Sequence, residues 1–302
     1  MSNSCLTLLP MRDNVTYPAS QNKSAIPKQA ESDEQLISLW LHGRSRHTQR
    51  AYNSDITKFC KSVDKPFQKI TLGDLQSFAD ELIEGELSDS SVKRILSSVK
   101  SLFSFGHTIG YLTFDVGAPL KIPSTRETIA ERILSQEEVQ KIISSVSNTR
   151  NRLIIKTLYY TGIRVSELVS LKWKDLQHRE QGGQMTILGK GGKSNVLLIP
   201  KELWFELMLL RDTVSGEGPV FRSRKGGHLN PGHVERVLKN IAVKAIGKNA
   251  TPHWYRHSHA SHALDNGCPI HLVQKQLNHS SIATTGRYLH ARPTESSSKY
   301  LK

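Results

Sequence analysis

The chain has 302 residues, 37% of them hydrophobic, and its 41 lysine and arginine residues outnumber its 27 aspartate and glutamate residues, for a formal net charge of +14. This length predicts two domains. No apolar run approaches the roughly 18–20 residues of a membrane span, which argues against a membrane-spanning helix. The charge favours nucleic acid as a partner over an anionic membrane, since no basic amphipathic anchor is present. A basic soluble protein without a polyanionic partner is the alternative.

The N-terminus lacks the features of a secretion signal. It has no basic segment, and its apolar run is limited to Leu6–Leu9. We therefore expect a cytoplasmic protein. Cys5, Cys60 and Cys268 are widely scattered, which predicts neither a disulfide framework nor a cysteine-based zinc site. Residues 1–31 are polar and rich in Ser, Asn and Pro, and this composition predicts a disordered leader.

A compact helical domain is predicted over residues 32–115. Apolar residues at helical spacing begin near Asp33, and Gly43 is the expected end of the first helix. Pro66 separates the second helix from the third. The expected N-caps of the second, third and fourth helices are Thr48, Thr71 and one of the pair Ser88 and Ser90.

Basic residues of this domain fall into two groups that predict DNA-backbone contacts. Helix N-termini and neighbouring arginines suit phosphate binding, because both present N–H donors to an anion. For any single residue, a solvated basic surface is the alternative. The first group surrounds the start of the second helix and the other lies on the polar face of the fourth: Arg44, Arg46, His47 and Arg50, then Lys93, Arg94 and Lys100.

A linker rich in Pro, Gly and polar residues is predicted over residues 116–131, followed by a second domain over 132–302. The second domain opens with S-Q-E-E, a capping box that starts at Ser135. A helix beginning near Leu153 should end at Gly162, and a short helix should follow directly. Two further helices are predicted over residues 200–212 and 231–246.

A β-hairpin is predicted between these helices. The β-branched runs Met185–Leu188 and Val196–Ile199 flank the glycine-rich segment G-K-G-G-K. Lys190 lies at the expected tip, where its ammonium group is free to reach a ligand. The segment G-K-S is not a nucleotide-binding loop, because it lacks the upstream glycine and runs into a strand instead of a helix.

The stretch from His253 to Tyr288 concentrates side chains suited to chemistry. His253 and Arg256 are three residues apart, so they share one face of a helix. The turn D-N-G predicts the end of that helix, and Pro269 is the expected start of the next. Tyr288 is expected on or beside a short helix that follows T-T-G.

Several motifs in order resemble those of the tyrosine recombinase family, also called the phage integrase family, in its Xer type. They span residues 161–290: Arg164 in T-G-I-R-V-S-E-L, Lys190 in G-K-G-G-K, His253 and Arg256 in H-W-Y-R-H-S, then His279 and Tyr288. The N-terminal segment resembles the family's SAM-like core-binding domain. The resemblance implies a mainly α fold with a small β-hairpin or sheet, of α+β class. Two positions depart from the family pattern, His259 and Asn278, which stand in place of an apolar or aromatic residue and of glycine.

The chemistry of phosphodiester cleavage agrees with these residue types. Arg164 and Arg256 can stabilise extra negative charge on the phosphate oxygens with planar donors that stay charged. Tyr288 is the candidate nucleophile, and its phenol, with a reference pKa of about 10, needs a proton acceptor or a positive field. Asn278 can adopt the left-handed backbone that glycine allows, so we expect function to survive.

The family resemblance implies the remaining roles. His253 would accept the proton of Tyr288, His279 would bind the scissile phosphate, and Lys190 would protonate the departing 5′ oxygen. Glu167, three residues beyond Arg164, is expected to orient the basic groups. The product would be a 3′-phosphotyrosine link, which conserves bond energy, so no ATP is needed. No metal or other cofactor is expected, because cationic side chains supply the charge.

The resemblance also implies partners. The two domains would clamp a double-stranded DNA recombination site, and four protomers would exchange strands through a Holliday junction on two sites. The tetramer would be a homo-tetramer or would include a related recombinase, and an accessory DNA-bending or regulatory protein is an optional partner. The expected reaction serves integration, excision or dimer resolution, and no membrane partner is expected.

Three rival functions fit parts of the sequence. The i,i+4 spacing of His253 and His257 suits a metallohydrolase, but there is no H-E-x-x-H glutamate. A DNA-binding protein without catalysis would leave the set around Tyr288 unexplained. A type IB topoisomerase shares the tyrosine chemistry, but the modest size and the Xer-like motifs favour recombination.

Overall fold

The computed structural model describes residues 29–124, 129–188, 194–211 and 215–291. The chain divides into two compact units, and the boundary lies between residues 126 and 127. The described helices and the one small sheet confirm the predicted α+β class. None of the described helices combines the length with the apolar character that a segment crossing a bilayer needs.

The first unit is helical. Its described residues form the helices α1 (Asp33–Leu41), α2 (Arg46–Val63), α3 (Leu72–Glu84) and α4 (Asp89–Thr108). The predicted N-cap Thr71 is confirmed and forms a capping box with Asp74. Of the two candidates for α4, Ser88 occupies the N-cap position, and its side chain makes no cap hydrogen bond. The prediction for α2 is wrong by one turn: Ser45 is its N-cap, and its hydroxyl accepts from the backbone N–H of Thr48. Arg46 and His47 therefore lie in the first turn of α2.

Aromatic packing holds the first unit together. Phe59 on α2 lies against the rings of Phe67, Phe78 and Phe103, with centroid distances of 6.3, 5.1 and 5.9 Å. Each of the four side chains is at most 3% exposed, so each contributes about 1.5–3 kcal/mol by burial alone. The buried Leu112 and the other apolar residues of the cluster complete one core.

The second unit combines eight helices with a three-stranded antiparallel sheet among its described residues. The sheet has the order β1-β2-β3, formed by Leu176–Arg179, Gly182–Leu188 and Ser194–Pro200. The β2–β3 pair confirms the predicted hairpin strands, whereas β1 was missed. The helices are α5 (Gln136–Ser144), α6 (Thr149–Thr161), α7 (Val165–Ser170), α8 (Lys201–Leu210), α9 (Pro231–Ile246), α10 (Pro252–Asp265), α11 (Ile270–Gln276) and α12 (Ile282–Ala291).

Helix α10 is the element around which the site forms. It packs against α6, α11 and α12, and its residue Tyr255 belongs to the main core. The predicted helix end is confirmed, because α10 stops at Asp265 and Gly267 takes a left-handed φ of +80°. The predicted starts of α11 at Pro269 and of a short helix around Tyr288 are also confirmed. The last two described helices, α11 and α12, thus return the chain to α10, which places Tyr288 beside the histidines of that helix.

Candidate active site

Arg256 is the most deeply buried cation of the site. It projects from α10, is 6% exposed, and donates through Nη1 to the carbonyl oxygen of Gly162 and through Nη2 to that of Leu277. Gly162 directly follows the last residue of α6, and Leu277 directly follows that of α11, so one guanidinium joins the ends of two helices. Burial, and then the charge of Arg164, lower the pKa of Arg256 to about 10, which still leaves it cationic at neutral pH.

Arg164 lies at the N-cap of α7 and is more open. Its backbone N–H donates to Oε2 of Glu167 at 2.9 Å, and its Nη1 donates to Oε1 of the same carboxylate at 3.0 Å. The Arg164 side chain is 37% exposed, whereas that of Glu167 is 11% exposed. Glu167 therefore holds the backbone and the guanidinium of Arg164 together, while donors of Arg164 remain available to a ligand.

Tyr288 reaches the same face of α10 from α12. The residue is 5% exposed, and its hydroxyl lies 2.9 Å from Nδ1 of His257. Its ring stacks on that of His279, with centroids 6.4 Å apart and planes 9° apart. Burial raises the pKa of Tyr288, and the positive charges of Arg256 and Arg287 act in the opposite direction. The phenol is consequently protonated at neutral pH.

His279 lies before α12 and is oriented by a residue of that helix. Its Nδ1 lies 2.9 Å from the hydroxyl of Thr285, which leaves Nε2 for a ligand. Burial, followed by the charges of Arg256 and Arg164, lowers the pKa of His279 to about 4. Asn278, immediately before it, has φ +49°, which confirms the left-handed backbone predicted for this position.

His253 lies one turn before His257 on α10. Its ring centroid is 6.4 Å from that of His257, and burial and the charge of Arg256 lower its pKa. Among the described residues, the hydroxyl of Tyr288 is bonded to His257 and not to His253. The structure thus brings together five of the six predicted catalytic residues and Glu167, whereas Lys190 lies outside the described residues.

The predicted DNA-contacting residues differ in how free their charges are. Arg46, His47, Arg50 and Lys93 are exposed. In contrast, the guanidinium carbon of Arg44 lies 5.0 and 5.1 Å from the ring centroids of Trp40 and Tyr52, two rings that stack on each other. The other two also interact within the unit: Arg94 forms an ion pair with the buried Asp55, and Lys100 donates to the carbonyls of Ala118 and Leu120 at 2.7 and 3.0 Å.

Sequence reasoning missed the contact between His257 and Tyr288. In the sequence, His257 stands out only for its spacing from His253, which suits a metal ligand. Within the described ranges, no group of three or more His, Cys, Asp or Glu side chains is arranged to hold a metal ion. The sequence did contain a signal for the contact with Tyr288. His257 is four residues after His253, so the two imidazoles lie on the same face of the helix and meet the same neighbouring segment.

Gly162 is a point where the site and the fold constrain each other. It ends α6 with φ +65°, and a Cβ there would lie 2.6 Å from Leu277 and 2.8 Å from His259. We expect Gly162→Ala to destabilise the second unit by about 1–2 kcal/mol of backbone strain plus about 1–3 kcal/mol of overpacking. Equilibrium urea unfolding measures the change.

Gly247→Ala is the matched control. Gly247 ends α9 with φ +72°, and a Cβ there would meet nothing within 4 Å. The control should therefore show only the cost of backbone strain. Equal destabilisation of the two variants would mean that the packing of Leu277 and His259 around Gly162 is not tight in solution.

The arrangement suits phosphoryl transfer. It offers two arginines for a phosphate's non-bridging oxygens and a neutral phenol in contact with neutral imidazoles. Preorganised cations of this kind stabilise the charge that develops on phosphorus-bound oxygens during displacement.

Known protein families and a curated relative are similar to this chain in sequence. Residues 132–295 match the phage integrase family, and residues 35–107 match the phage integrase N-terminal SAM-like domain. The tyrosine recombinase XerA of Pyrococcus horikoshii is 33% identical over 255 residues, which are 83% of this chain and 85% of that protein.

Two solved structures share the fold. A lambda integrase dimer bound to a COC′ core site has a TM-score of 0.72 at 22% identity. The matched region covers 87% of this chain and 95% of the lambda integrase chain. A lambda integrase tetramer bound to a Holliday junction has a TM-score of 0.72 at 20% identity. The matched region covers 87% of this chain and 77% of that lambda integrase chain. The chain therefore belongs to the phage integrase family and is a Xer-like tyrosine recombinase, an enzyme that cleaves and rejoins DNA.

Proposed function

We propose that this chain is a site-specific recombinase whose Tyr288 attacks the scissile phosphate and forms a 3′-phosphotyrosine link. The observation that supports this most is the position of the Tyr288 hydroxyl, buried against His257 beside the ring of His279 and within the positive field of Arg256. The DNA 5′-hydroxyl of a second strand then attacks the link and rejoins the backbone.

The two arginines would bind the non-bridging oxygens of the phosphate. Arg164 would act from the open side with the donors that Glu167 leaves available, and Arg256 from the buried side. His279 would donate from Nε2 to the phosphate, because its Nδ1 is held by Thr285. Lys190 would protonate the departing 5′ oxygen as general acid.

The protein would act as an oligomer on DNA in the cytoplasm. The tetrameric lambda integrase on a Holliday junction supports an assembly of four protomers on two sites, with strand exchange through that junction. Residues 32–115 would form the core-binding domain and residues 132–302 the catalytic domain. The net charge of +14 supports DNA as the partner, because a positively charged protein attracts the phosphate backbone.

The proposed function is tested by identifying the residue that becomes linked to DNA. Footprinting on genomic DNA first maps the bound site, and a nicked duplex of that site then traps the covalent intermediate. We expect mass spectrometry of the digested complex to find the 3′ nucleotide on the peptide that contains Tyr288. A nucleotide on another residue, or no covalent product on a site that is bound, would contradict the proposal.

Contacts of the first unit with the DNA backbone are proposed for its exposed basic residues. We expect the double variant Arg46→Ala with Arg50→Ala to reduce the salt dependence of binding by about 0.9 log unit for every phosphate that is no longer neutralised, because fewer counterions are released. Both side chains are exposed, so the melting temperature should not change. Fluorescence anisotropy at several salt concentrations measures the slope.

Arg94→Ala is the contrasting control for this experiment. It removes the ion-pair partner of Asp55, which is 3% exposed and also accepts from the hydroxyl of Ser98 at 3.1 Å. The control should lower the melting temperature, and it should change the salt slope less than the double variant does, because the charge of Arg94 is already paired with that of Asp55. A double variant with an unchanged slope would show that Arg46 and Arg50 face away from DNA.

A further inference from the structure

The nucleophile's hydroxyl has a histidine partner outside the set that the family resemblance supplied. Nδ1 of His257 lies 2.9 Å from the Tyr288 hydroxyl, with ring centroids 5.7 Å apart and planes 47° apart. This distance is that of a well-formed hydrogen bond. Among the described residues, neither His253 nor His279 is hydrogen-bonded to the Tyr288 hydroxyl. His257 is therefore the imidazole placed to exchange a proton with the phenol.

His279 is held in another role. Its Nδ1 is bonded to the hydroxyl of Thr285, and its ring lies nearly parallel to that of Tyr288, 6.4 Å away. In this parallel arrangement the His279 ring packs against the face of the Tyr288 ring, and neither of its nitrogens is directed at the Tyr288 hydroxyl. His253 lies one turn before His257, and its own ring contact is with His257.

The protonation state of His257 suits an acceptor. Burial lowers its pKa to about 4, and the charges of His253 and Arg256 on α10, Arg132 before α5 and Arg287 on α12 add to this effect. The imidazole is therefore neutral at pH 7, and a neutral imidazole has one nitrogen that can accept. A bound phosphodiester brings negative charge into this field, which opposes the cations and makes protonation of His257 easier.

We propose that His257 is a catalytic residue that accepts the proton of Tyr288 during cleavage and returns it during rejoining, an inference that rests on the proposed function. As the Tyr288 oxygen bonds to phosphorus, its proton moves to Nδ1 of His257. The bond from phosphorus to the 5′ oxygen breaks, and that oxygen leaves with a proton from Lys190. Rejoining reverses each transfer, so protons and charges balance over the cycle.

The test compares His257→Asn with the wild type in single-turnover formation of the covalent complex. The amide oxygen of asparagine can take the place of Nδ1 as a hydrogen-bond acceptor, but it cannot hold a proton. We expect DNA affinity to be unchanged and cleavage to be slower by about 100-fold, the lower end of the usual contribution of a general base. His257→Gln serves as a second variant, and His271→Gln, an exposed histidine on α11, as a control at the wild-type rate.

A ring-fluorinated tyrosine at position 288 separates proton transfer from positioning. Its phenol loses the proton more readily, so it should need His257 less. We expect it to raise the cleavage rate of His257→Asn by about tenfold or more, while the same analogue should not accelerate the wild type. A slow His257→Asn variant that gains nothing from the analogue would overturn the inference, because the histidine would then only position the ring.

A measurement on the wild type covers the case in which neither variant folds. A 5′-bridging phosphorothioate substrate has a leaving group that needs no proton, so the solvent isotope effect on its cleavage reports the proton that Tyr288 loses. We expect slower cleavage in D2O, and equal rates would overturn the inference. Wild-type protein that forms no covalent complex would refute the proposed function itself, whereas His257→Asn cleaving at the wild-type rate would refute only the role of His257.

Discussion

Tyr288→Phe should bind the recombination site with wild-type affinity and form no detectable covalent complex. The substitution removes the attacking oxygen and its hydrogen bond to His257, and it keeps the ring that stacks on His279. Loss of one hydrogen bond should reduce the free energy of unfolding by about 1 kcal/mol, which leaves the fold intact. Denaturing gels with a nicked substrate measure the complex, and anisotropy measures the affinity.

Tyr255→Phe is the matched control, because it makes the same chemical change one residue before Arg256. The buried hydroxyl of Tyr255 has no hydrogen-bond partner among the described residues, so its removal should leave cleavage unchanged and should not destabilise the protein. Covalent product from Tyr288→Phe would show that another residue is the nucleophile.

Arg256→Ala should lose both cleavage and stability. The guanidinium donates to the carbonyls of Gly162 and Leu277, and each carbonyl left without a donor costs about 1–3 kcal/mol. Removal of a preorganised cation from the phosphate site should slow cleavage by about 100- to 1000-fold. Urea unfolding and single-turnover cleavage measure the two effects on the same preparation.

Arg164→Ala separates the two effects. Its side chain is 37% exposed, and its ion pair with Glu167 lies within a single short helix. We expect a comparable loss of cleavage with a smaller loss of stability, because this substitution breaks one local ion pair, worth about 1 kcal/mol when one partner is open to solvent, and no bond between helix ends. If Arg256→Ala were as stable as Arg164→Ala, the two carbonyl bonds of Arg256 would not be holding the ends of α6 and α11.

Local features of the site could be predicted from the sequence. The capping spacing of Arg164 and Glu167 and the left-handed Asn278 depend on neighbours within a few residues, so a linear pattern contains the information. The helix end after Asp265 and the start at Pro269 are of the same kind. These features fix the backbone on which the functional side chains sit.

Contacts between distant segments could not be predicted in this way. His257 and Tyr288 are 31 residues apart, and which imidazole faces the hydroxyl depends on how α12 packs on α10. Strand β1 was missed because L-Q-H-R buries only Leu176 and shows no alternation. The N-cap of α2 was assigned to Thr48 instead of Ser45 because both residues carry a hydroxyl that suits capping. In the structure these two hydroxyls bond to each other at 2.8 Å.

The burial of Tyr288 has a chemical consequence for the protein before it meets DNA. A phenol whose pKa lies above 10 is ionised in fewer than about one molecule in a thousand at pH 7. Electrophiles that attack phenolates, such as iodinating and nitrating agents, would find almost no reactive species at this position. Burial thus keeps the Tyr288 oxygen in its less reactive, protonated form in the free enzyme.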